Sequence, residues 1–100
     1  MTRDLFEYRE VAVESLQEGG QVVLRPVNGQ AFSSEMRVQC SQRLRDTSAY
    51  PLGTSFLVLA KMTDRLGGEP YLYVFHGDPV KVLAPAQLEQ FLNDRRRLRI

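Results

Sequence analysis

The sequence predicts an α+β domain: a strongly curved antiparallel sheet, or small open β-barrel, of about five strands with a C-terminal helix. Three observations carry this. Residues 50–83 read in succession as a turn, a strand, a glycine-containing loop, a second strand and a short third one. The connections between candidate strands are of hairpin length, which favours antiparallel pairing. Only the segment after Pro85 carries a clear helical period.

In chain order, residues 1–4 are polar with little to hold them down. Residues 8–13 alternate imperfectly and predict a strand. Residues 14–20 then predict one helical turn closed by Gly19 and Gly20, leading into a strand over 21–27 (QVVLRPV). Pro26 lacks a backbone donor, so that strand lies at an edge or ends there. Asn28 and Gly29 follow as a turn. In the segment 33–47, the alternation of Met36, Val38 and Cys40 with Arg37 and Gln39 favours a strand, whereas the four-residue spacing of Met36, Cys40 and Leu44 favours a helix. The reading adopted is a strand over 36–40, then a helical turn from Ser41 as N-cap to Asp46.

Tyr50-Pro51-Leu52-Gly53 predicts a turn with Pro51 at the first central position and Gly53 supplying a positive φ. Residues 54–63 (TSFLVLAKMT) form the strongest strand, apolar on both faces at its start and therefore covered on both. Residues 64–70 form a polar loop containing Gly67 and Gly68. The next strand, 71–76, has one face of Tyr71, Tyr73 and Phe75 and another of Leu72, Val74 and His76. A three-residue loop aligns Val58, Ala60 and Met62 with Leu72, Val74 and His76; a two- or four-residue loop aligns them with the tyrosines. The sequence leaves this register open. After the break at Gly77 to Pro79, residues 80–83 add a short strand. Pro85 then stands first in a helix reaching Arg99, with Leu88, Phe91, Leu92 and Leu98 on one stripe. Phe56, Val58, Leu59, Leu72, Val74, Leu88, Phe91 and Leu92 are the expected core.

A chain of 100 residues with 43% hydrophobic content suits one domain, burying roughly two-thirds of its unfolded surface. Thirteen basic against 12 acidic side chains leave a net charge of +1, so no global field selects nucleic acid or a membrane. With one cysteine there is no intramolecular disulfide, and no apolar run matches a signal segment or a span; a reducing cytoplasm is the expected location.

Chemistry-bearing residues are few. Cys40 in its alternating apolar row reads as a small core residue rather than a nucleophile based on His76. His76 and Asp78 offer two metal ligands where a closed site needs three or four, and the paired glycines lack the surroundings of a phosphate loop, so neither metal nor cofactor is expected. Two features suit binding: the aromatic row of Tyr71, Tyr73 and Phe75, with His76 at its end, and the basic cluster Arg95, Arg96, Arg97 and Arg99. The expected function is therefore non-enzymatic: a binding or protein-interaction module acting through its sheet surface, self-associating as a homodimer. The alternative is a small barrel that binds single-stranded nucleic acid.

Overall fold

A computed structural model describes residues 8–63, 68–75, 77 and 79–98, with the side chains of 95–98 left out of the description. Among the described residues, six strands and one α-helix follow in order: β1 (Arg9–Glu18), β2 (Gln21–Pro26), β3 (Arg37–Gln39), β4 (Ser55–Thr63), β5 (Tyr71–Val74), β6 (Lys81–Leu83) and α1 (Pro85–Leu98). The strands form one sheet ordered β2-β1-β4-β5-β3, with β6 also paired to β4. The sheet curls until β3 approaches β2, giving the expected α+β small barrel, nearly closed.

β4 is the shared member. One of its edges pairs with β1, from Arg9 opposite Ala60 to Glu14 opposite Ser55. The other edge is divided, β6 taking Ser55 to Leu57 and β5 taking Ala60 to Thr63. Ala60 faces Val74 and Met62 faces Leu72, which is the alignment with Leu72 and Val74 rather than with the tyrosines. Alternation then sends the two faces of β4 into different cores. Phe56, Val58 and Ala60 point into the barrel with Val11, Val13, Leu24, Leu44, Leu72 and Val74, all buried. Leu57 points outward, where with Ala12, Val27 and Leu83 it meets Leu88, Phe91 and Leu92 of α1. Of the expected core, the four inward strand residues are fully buried, whereas Leu59 and the three helix residues are only half-buried because they cover one outer face.

Several expectations need correction. No helical turn forms before Gly19: β1 runs through Glu18, and Gly19 (φ 57°) with Gly20 (φ 79°) makes the hairpin turn to Gln21, the two-residue geometry whose twist matches the flanking strands. Ser15 hid this strand by placing a polar residue at an inward position, and Gln17 continued the same row as a polar, exposed residue. The turn after Tyr50 lies one residue later than expected: the Thr54 N–H donates to the Pro51 carbonyl at 3.1 Å and Gly53 has φ 90°, so Leu52, not Pro51, holds the first central position. The sheet is mixed, because β3 pairs with β5 in parallel; residues between them cross over through β4. The expected helical turn from Ser41 to Asp46 does form, as a short 3₁₀ turn (Gln42–Arg45) with the Ser41 Oγ accepting from the Arg43 N–H. The strand expected over 71–76 ends at Val74, with the described Phe75 beyond it, whereas His76, Asp78 and Arg99 lie outside the described residues.

Polar contacts complete the barrel where strand pairing stops. Gln30 substitutes for a strand: its Oε1 accepts from the Ala12 N–H, and its Nε2 donates to the Ala12 and Val27 carbonyls, each at 2.8 Å. Ser15, 1% exposed, is satisfied through the 51–54 turn, its Oγ accepting from the Gly53 N–H at 3.1 Å. Arg25 spans the gap between β2 and the segment entering β3, donating to both Glu18 carboxylate oxygens and to the Glu35 carbonyl. That hydrogen bonding raises the pKa of Arg25 and lowers that of Glu18. At the other end of the chain, the Gln87 side chain accepts from the Ala84 N–H at 2.8 Å, half of a capping box at the start of α1.

Leu72→Ala removes a fully buried side chain and is expected to cost about 2 to 5 kcal/mol. Gln30→Leu strands the fully buried Ala12 N–H and is expected to cost about 1 to 3 kcal/mol. Urea midpoints at unchanged slope measure both; a midpoint unmoved by Gln30→Leu would show that the side chain does not replace strand pairing.

Candidate binding face

With Leu72 and Val74 inside the barrel, Tyr71 and Tyr73 stand on its outer face, and Phe75 follows just past the end of β5. They do not belong to the apolar cluster under α1, which covers the other half of that face. Both tyrosines are half-buried and Phe75 is 37% exposed. The Phe75 ring folds back over Gly77, where an added Cβ would meet it at 2.9 Å. Register sets the neighbours: Tyr71 lies between Thr63 of β4 and Arg37 of β3, and Tyr73 between Lys61 and Gln39. The result is an aromatic row edged by cations and amides.

The parallel strand also shapes a cleft of about 500 Å³ lined by Arg37, Gln39, Cys40, Arg45, Glu69 and Tyr71 among others. Arg45 is held there by the 3₁₀ turn, whose Leu44 plugs into the barrel at 2% exposure. Cys40 packs against the inner core, and burial pushes its thiol up to about 11 despite the opposing charge of Arg45. A protonated thiol is a poor nucleophile at neutral pH. Among the described residues no group of three or more His, Cys, Asp and Glu is placed to hold a metal ion.

Of the residues singled out in the sequence, the structure places Tyr71 and Tyr73 on one face of β5, with Phe75 just past the end of the strand. His76 lies outside the described residues. Arg95, Arg96 and Arg97 fall in the last turns of α1 with their side chains outside the description. Sequence reasoning missed Arg37, Gln39 and Arg45 as neighbours of the row. Their outward alternation was legible, but the parallel pairing that seats them beside β5 was not. No described helix is long and apolar enough to cross a membrane. No family model, curated protein or solved structure matches this chain.

The raised thiol pKa has a measurable consequence. Because the folded value lies above the ordinary thiol value of 9.0, Cys40 contributes stability that is present below pH 9 and is lost as pH rises toward 11. Alkylation of the native protein at pH 8 is expected to be slow and to become rapid on unfolding in urea. Equal rates in both states would place the thiol outside the core.

Proposed function

We propose that this chain is a non-enzymatic binding module that works through the outer face of β5 and β3 and associates there with a second copy of itself. The observation that carries the reading is the position of Tyr71, Tyr73 and Phe75: outside the barrel, beyond the cluster under the helix, and partly fixed by their neighbours. Such side chains offer large contact area at small entropic cost, and tyrosine and arginine together are the chemistry enriched at protein interfaces. A net charge of +1 lets two copies approach without long-range repulsion. A neutral, core-packed Cys40 supports a role without covalent catalysis, and it suits a reducing compartment such as the cytoplasm.

A second reading, binding of single-stranded nucleic acid, is favoured by one specific observation: Arg37 stands beside Tyr71 in register, and Arg45 opens on the same cleft. Stacking platforms flanked by cations are the general means of holding such strands. On this reading retention on single-stranded DNA or RNA falls steeply with salt, and joint replacement of Arg95, Arg96 and Arg97 by Gln flattens the slope if the helix end takes part.

Sedimentation across a concentration series tests the leading reading. Wild type is expected to dimerise, and Tyr73→Glu to sediment as a folded monomer because it removes the aromatic contact and sets a carboxylate that must be desolvated in the interface. A wild type that stays monomeric to high micromolar concentration overturns self-association.

A further inference from the structure

The cleft beside β3 supports an inference that does not rest on self-association. We propose that it binds a phosphate-class anion carried on a planar ring, the chemistry shared by free nucleotides and single-stranded nucleic acid, with Arg37 and Arg45 on the anion and Tyr71 against the ring.

Charge is the first ground. Two guanidinium groups line the cleft against one carboxylate among the described residues, Glu69. Neither Arg37 nor Arg45 is held by a hydrogen bond or ion pair among the described residues, whereas Arg25 is consumed by Glu18 and the Glu35 carbonyl. Cys40 on the same wall adds no competing negative charge while its thiol stays protonated. Guanidinium groups left to solvent match phosphate geometry through parallel N–H donors, so an anion can take the place of that water.

Rigidity and size are the second ground. Arg37 is fixed in β3 by parallel pairing to Tyr71, and Arg45 follows Leu44, the anchor of its 3₁₀ turn. With both backbones held by paired strand and anchored turn, only the exposed arginine side chains have to be ordered on binding. The volume of about 500 Å³ falls within the range of small-molecule sites. Tyr71 presents a half-buried ring, and Gln39 adds an amide that can donate to and accept from a heterocycle edge.

Calorimetric titration at low salt with pyrophosphate, ADP and a short oligothymidylate tests the site, using wild type and the variants Arg37→Gln, Arg45→Gln and Glu69→Gln. Thermal unfolding confirms that each variant is folded. Saturable binding is expected, weakened about three- to tenfold by each arginine replacement and strengthened by a similar factor by Glu69→Gln, as expected for single charges in a partly exposed cleft. ADP should bind more tightly than pyrophosphate if the ring is engaged. Tighter oligothymidylate binding with a steep salt slope assigns the ligand to nucleic acid; stronger ADP binding assigns it to free nucleotides. Absence of saturable binding with all three probes, or binding that the arginine variants leave unchanged, overturns the site. Mass measured in the same samples keeps the readings apart: a monomeric wild type that binds ADP removes self-association and leaves the anion site standing.

Discussion

The structure depends on β4 having two apolar faces. A strand with Phe56, Val58 and Ala60 on one side and Leu57 on the other cannot lie in a sheet with one face to water, since each fully buried Val, Leu or Phe stabilises by roughly 1.5 to 3 kcal/mol relative to exposure. Curling the sheet buries the first face, and α1 covers part of the second. The divided edge of β4 follows from the same need. With β5 and β6 pairing to different stretches of it, the chain can enter the barrel wall through β5 and still return to the outside, where Leu83 leads into the helix.

Curling brings costs at the places where regular pairing ends, and short polar contacts meet them. Buried backbone groups demand partners. Gln30 supplies a donor and an acceptor to β1 just where Pro26 ends β2, and Ser15 accepts from the turn that launches β4. The Arg25 fork joins the two sheet edges through the Glu35 carbonyl. Each of these residues is polar at a position whose neighbours are apolar or extended.

The binding face is a by-product of that packing. Once Leu72 and Val74 are drawn inside, the odd-numbered residues of β5 have no choice but the outside. Once Leu44 plugs the barrel and β3 pairs in parallel with β5, Arg37 and Arg45 arrive beside them. Aromatic and cationic side chains thus meet on rigid elements rather than on loops, which favours selective contact at small entropic cost.

The sequence by itself determined the elements with strong local chemistry. The β4 run without breakers, the Pro85 start of the helix, the Ser41 cap and the class of fold were all legible from composition and period. So was the sharing of one strand face by Tyr71 and Tyr73, though not the end of that strand before Phe75. Tertiary structure alone decided what depends on pairing between distant segments. The β4–β5 register, the parallel seat of β3, the extension of β1 through Ser15 and Gln17, and the meeting of Arg37 and Arg45 with Tyr71 all fall in this group. The physical reason is that alternation specifies which side chains share a face but not which neighbour a strand will pair with; only the requirement to bury both sides of β4 at once selects among the pairings.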